Sequence, residues 1–154
     1  MADDDYSDID EESDDCLGLD LVGANLAGQN FRDHDLSFAE LLSADLSGAD
    51  LSDATLSGAD LHGANLTGAN LTGADLSGAN FAYSNLSGAN LSGALLMGTR
   101  FDKANLKGAI LRDAVFSDEV NLRGANLMDV DLSNVDFGDS DLQGAIMPDG
   151  AEHP

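Results

Sequence analysis

Residues 44–81 read ADLSGADLSDATLSGADLHGANLTGANLTGADLSGANF, and the spacing of one residue type in that stretch decides the fold. Leucine or phenylalanine returns at every fifth position, at 46, 51, 56, 61, 66, 71, 76 and 81. Outward from there, the slot holds Leu or Phe from Leu21 to Phe116 without a miss. After one six-residue step it resumes at Leu122 and runs to Leu142, and Met147 extends the series. The position two before it is small, usually Ala. The position between them is mostly Asp or Asn, and the two after it are mostly Ser or Thr followed by Gly. The repeat is therefore A-[DN]-L-[ST]-G.

In extended chain, the small residue and the Leu/Phe face one side while the Asp or Asn between them faces the other. A period of two cannot persist through a repeat of five, so the chain must turn once per repeat to bring the next Leu inward. The Ser-Gly pair is where it turns, because Gly takes positive φ at no steric cost. Phe38, Ser43 and Tyr83 stand in the Gly slot, so Gly is favoured there but not compulsory. Right-angle turns close a coil after four repeats, or 20 residues. Coils then stack at the ordinary inter-strand spacing of about 4.8 Å. A long helix is the poorer reading: five-residue periodicity drifts from 3.6, and each interior Gly costs about 1 kcal/mol.

This motif, with its small-then-Leu/Phe alternation, resembles the pentapeptide-repeat protein family over about residues 19–147. The resemblance implies an all-β, right-handed quadrilateral β-helix, a pentapeptide-repeat solenoid of about six coils. Residues 1–15 are expected to be a disordered acidic N-terminal tail, 16–147 the β-helix, and 148–154 a short C-terminal tail.

Charge and composition bound the function. There are 29 acids against 6 bases, a formal charge of −23. Nine of the acids and no base fall in residues 1–15, which leaves 20 acids against 6 bases, or −14, for the rest. Such a chain repels nucleic acid and anionic membranes, so neither direct nucleic-acid binding nor a membrane partner is expected. Halophilic adaptation leaves the same signature. The apolar runs are too short to span a bilayer. The acidic start is unlike a secretory signal, so the protein is read as cytoplasmic. One cysteine, Cys16, excludes an internal disulfide and a thiol-rich metal site.

No catalytic constellation is legible, and the chain is read as not an enzyme. His34, His62 and His153 lie far apart in the repeat register and lack two-His metal spacing. The segment Asp8–Ser13 lacks the Gly of a calcium loop. Serine recurs as a turn residue without a nucleophile elbow. No cofactor is implied.

The departures from the repeat are more informative. Gln29 and His34 occupy the small inward slot in the first coil, near an open end, where solvated or capping roles fit. The six-residue step puts an extra residue near Ser117, Asp118 and Glu119, which reads as a bulge at a corner. Val120, Val130 and Val135 stand in the small slot, so the last coils should be wider or distorted. In a 20-residue register Leu95 lies under Val115, with Met97 alongside and Ile110 round the corner. Exposed aliphatics in a patch mark an interface; neutral drift in a degenerate repeat gives the same pattern. Arg100, Lys103, Lys107, Arg112 and Arg123 fall in the same two coils, for which salt bridges with Asp102, Asp113 and Asp118 are the ordinary explanation. Together these nine residues form the candidate interaction patch.

Two functional classes follow. One is an interaction scaffold for a protein partner that the sequence does not identify, with self-association as a homodimer through the C-terminal coil. The other is imitation of duplex DNA: some members of the family that this chain resembles present an acidic rod to type II topoisomerases such as gyrase, and inhibit or protect them. Residues 54–98 hold only Asp60 and Asp75 as acids, which is sparse for a DNA mimic.

Overall fold

In the computed structural model, residues 17–117 and 119–154 are described. The expected acidic tail at 1–15, Cys16 and Asp118 lie outside them. The described chain is a continuous coil in which each turn pairs with the next through isolated parallel bridges, one per repeat from Asp20 on except at Asp136. Four bridge columns run along it. The first face carries Asp20, Glu40, Asp60, Asn80, Arg100, Asn121 and Asp141. The second runs from Asn25 to Ile146, the third from Asn30 to Asp131, and the fourth from Asp35 to Val115.

The hydrogen bonding follows from the motif. The Leu N–H donates to the turn above, as Leu41 does to the Asp60 carbonyl at 2.8 Å, while the Asp or Asn N–H donates below, as Asp60 does to the Ala39 carbonyl at 3.0 Å. At the corner the chain closes on itself, with Ala44 N–H donating to the Leu41 carbonyl at 3.0 Å. The second corner residue needs positive φ, which Gly48 meets at 64°. Phe38 at 58°, Tyr83 at 60° and Lys103 at 54° adopt the same conformation without being Gly.

The preference for Asp or Asn in each repeat has a physical cause as well. The side-chain oxygen accepts the N–H two residues on, as Asp50 Oδ1 does from Ser52 at 3.0 Å, and the Ser52 hydroxyl donates to the same oxygen at 2.6 Å. Each Asp or Asn rung thus fastens its own corner.

Inside, the Leu and Phe rungs and the Ala beside them are buried almost completely from Leu21 to Leu127, except for the half-buried Phe116 beside the inserted residue. Phe81 and Phe101 stack with centroids 5.2 Å apart. Thr99 and Ser84 replace Ala in the inward slot without leaving an unpaired group: Thr99 Oγ1 donates to the Leu76 carbonyl at 2.8 Å, and Ser84 Oγ to Phe81 at 2.7 Å. Gln29 is exposed, and the half-buried His34 places Nδ1 2.8 Å from the Arg32 carbonyl oxygen.

The inserted residue shifts the register from 20 to 21, between Leu95↔Val115 and Arg100↔Asn121. It lies in the corner that holds Glu119, whose φ is 58°. Beyond it, Leu132, Val135, Phe137 and Leu142 are only partly buried. Residues 147–153 then fold back over the second face. Ile146 bridges Glu152 antiparallel, and His153 N–H donates to the Ala145 carbonyl at 2.7 Å. Among the described residues no helix is long and apolar enough to cross a membrane.

Candidate interaction surface

The interior is packed with side chains, so the surface open to contact is that of the outer faces and corners. Leu95 and Val115 are bridge partners on the fourth face, 43% and 47% exposed, where Asp35 and Asp75 occupy the equivalent rungs lower down. Met97, 51% exposed, stands at the adjoining corner, and Ile110 is on the third face. The four aliphatics expected to cluster therefore occupy one region of the rod.

The five bases do not join them in a single patch. Arg100 is on the first face and pairs with Asp102 at 3.2 Å. Lys103 and Arg123 stand at the corner between the first and second faces, where Arg123 reaches Asp141 at 3.1 Å. Lys107 is exposed at the next corner. Only Arg112, between the third and fourth faces, adjoins the aliphatics, and it pairs with Asp131 at 2.8 Å. Of the anticipated acidic partners, Asp102 serves; Asp113 instead accepts the Asn134 amide at 2.7 Å. The 20-residue register distributes residues close in sequence around the perimeter, and arginine reaches to the turn above.

These links leave clear electrostatic marks. The Ser133 hydroxyl, its N–H and the Arg112 guanidinium hold Asp131 at a pKa of about 2. Asp35, Asp45 and Asp50 are lowered chiefly by the hydroxyl of the serine two residues on. These four carboxylates are thus held ionised as structural acceptors. Among the described residues no group of three or more His, Cys, Asp or Glu side chains could hold a metal ion.

Sequence reasoning treated Phe38 and Tyr83 as tolerated exceptions to Gly. They are 66% and 57% exposed, and each contacts a neighbouring turn. The Phe38 ring lies against Gly58, 2.7 Å from where a Cβ would stand. Tyr83 lies 5.3 Å from the His62 ring, and Lys103 Nζ sits 5.5 Å from its centroid. The available signal was a bulky aromatic in a slot that demands positive φ.

Two family models, both described as pentapeptide repeats, match the chain. One, of eight copies, matches at residues 20–58, 44–81, 59–97 and 79–118; the other, of nine, matches at 101–146. No catalytic family is indicated. Among solved structures, HetL of Nostoc sp. strain PCC 7120, a pentapeptide repeat protein involved in heterocyst differentiation regulation, is 30% identical. That alignment covers 90% of this chain and 70% of HetL, with a TM-score of 0.44. A pentapeptide repeat protein from the Arabidopsis thaliana thylakoid lumen is 33% identical over 74% of this chain and 72% of its own, with a TM-score of 0.34. QnrB1, a plasmid-mediated fluoroquinolone resistance protein, is 23% identical over 85% of this chain and 80% of its own, with a TM-score of 0.47. No curated protein matches. Solved pentapeptide-repeat proteins are right-handed β-helices. The five-residue phase, unbroken from Leu21 to Phe116, and the two repeat models agree: the chain belongs to the pentapeptide-repeat family.

Proposed function

We propose that this protein is a non-enzymatic interaction scaffold, a quadrilateral rod of about six coils that offers its outer surface to a protein partner. The observation that carries this reading is the exposed Leu95–Val115 pair with Met97 beside it, on rungs that elsewhere hold polar residues. A stable interface needs an apolar centre with a polar rim. The surrounding acids and the Arg112–Asp131 pair supply such a rim. The test compares cross-linked partners of the wild type with those of Leu95→Asp/Val115→Asp in the same extract. A partner retained by the wild type and lost by the variant supports the reading; identical recovery by both would sink it.

A homodimer through the C-terminal coil belongs to the same proposal. The half-buried Leu132, Phe137 and Leu142 at that end support it, and sedimentation of Leu142→Asp against the wild type tests it. Imitation of duplex DNA is the second reading, favoured by the −23 charge. The middle rungs weigh against it, since Asn65, Asn70, Asn85 and Asn90 are neutral. Inhibition of gyrase supercoiling by the purified protein, relieved by added duplex DNA, would reverse that order.

A further inference from the structure

A second set of exposed apolar side chains lies in the N-terminal half of the rod. Among the described residues, Leu17, Leu19, Val22, Phe38 and Tyr83 are exposed large hydrophobics in or beside the first face. The face between them is acidic. Asp20, Glu40 and Asp60 are successive rungs of one bridge column, about 4.8 Å apart as neighbouring strands are. No Lys or Arg is recorded in an ion pair with any of the three among the described residues.

The two aromatic side chains converge on this column from opposite corners and from different turns. Phe38 reaches up to lie on Gly58, two residues before Asp60. Tyr83 reaches down to meet His62, two residues after Asp60. Their rings therefore stand at the two ends of a single strand, from Gly58 to His62, whose backbone spans at most about 13 Å by strand rise. Both residues adopt φ near 60°, a conformation that bulky side chains rarely take and that Gly meets freely. Local backbone preference therefore does not account for them.

We propose that the first face, from Asp20 to Asp60, is a docking surface for an arginine-rich extended segment of another protein. Charge complementarity selects this occupant. The chain's own residues 1–15 carry nine acids and no base, and a second copy would bring the same acidic rungs to this face, so neither complements it. Guanidinium groups fit better than ammonium groups because they bind carboxylates in two-point geometry and stack on aromatic rings. The Tyr83 ring already takes a cation from the turn above, Lys103 Nζ at 5.5 Å. This inference shares with the scaffold reading only the premise that the outer surface does the work. Its test leaves the fourth face out, so either can fail alone.

The experiment measures the affinity of fluorescent nona-arginine and nona-lysine for the full chain at fixed salt. Three forms are compared: wild type, Phe38→Gly/Tyr83→Gly, and Leu95→Asn/Val115→Asn. Gly is the ordinary residue at both aromatic corners, so that variant is expected to fold, which circular dichroism checks. The wild type should prefer nona-arginine by about tenfold. The glycine variant should lose this preference, and the asparagine variant should keep it. The proposal is overturned if the wild type binds both peptides equally, which would leave only the general field of an acidic rod. It is also overturned if the glycine variant keeps the preference, or if the asparagine variant abolishes it.

Discussion

Asn65 donates its side-chain amide to Asp45 Oδ1 at 3.1 Å, linking two successive turns on the outside of the rod. The same link joins Asn70 to Asp50 at 3.1 Å and Asn80 to Asp60 at 3.0 Å. Replacing Asn65 by Asp removes a donor to a charged acceptor and stacks two carboxylates at inter-strand distance. Asn65→Asp is expected to destabilise by about 1 kcal/mol at low salt. The loss should shrink in molar salt, where screening shortens to a few ångströms. Thermal unfolding at both ionic strengths checks this.

Burial differs between the middle and the C-terminal end. Leu66 is fully buried, whereas Leu142 is only partly so. Leu66→Ala is expected to cost about 3 kcal/mol, and Leu142→Ala about 1 kcal/mol. Urea denaturation of the two variants gives the comparison. Equal losses would contradict a loosened last turn.

Gly68 and Gly58 have nearly the same φ, 66° and 67°, but different surroundings. Nothing lies near the Cβ position of Gly68, while that of Gly58 is blocked by the Phe38 ring. Gly68→Ala should cost about 1 kcal/mol from backbone conformation alone. Gly58→Ala should cost more, and Phe38→Gly in the same chain should restore it to the Gly68→Ala value. A double-mutant cycle measures that coupling directly.

The hydroxyl-bonded carboxylates make part of the stability pH-dependent. Asp50 and Asp75 are lowered and Asp131 lies at about 2, so each binds its proton more weakly folded than unfolded. Their contribution is present above the unfolded value near 4 and is lost as pH falls toward 2. The triple variant Ser52→Ala/Ser77→Ala/Ser133→Ala should therefore melt below the wild type at pH 7. The gap should close near pH 2. A gap independent of pH would show that the hydroxyls act other than through the carboxylates.

The Leu/Phe phase made the coil and its 20-residue register legible, because burial imposes the same demand on every repeat. It also placed Leu95 beneath Val115 correctly. The ion pairs were less legible, since Arg112 and Arg123 choose partners 19 and 18 residues away that only the stacked register brings near. Phe38 and Tyr83 were harder still. Each meets a residue 20 or 21 positions away at a neighbouring corner, and a repeat consensus treats both as noise. The return of residues 147–153 has no repeat signal at all.

That return runs antiparallel to the strand at Ile146, whereas every other bridge in the rod is parallel. A further turn added in register would need the second face for a parallel partner, and the strand already there runs the other way. Unclosed β-coils are templates for open-ended growth. Here residues 147–153 occupy one of the four sides, so the parallel winding cannot be extended on that side without displacing them.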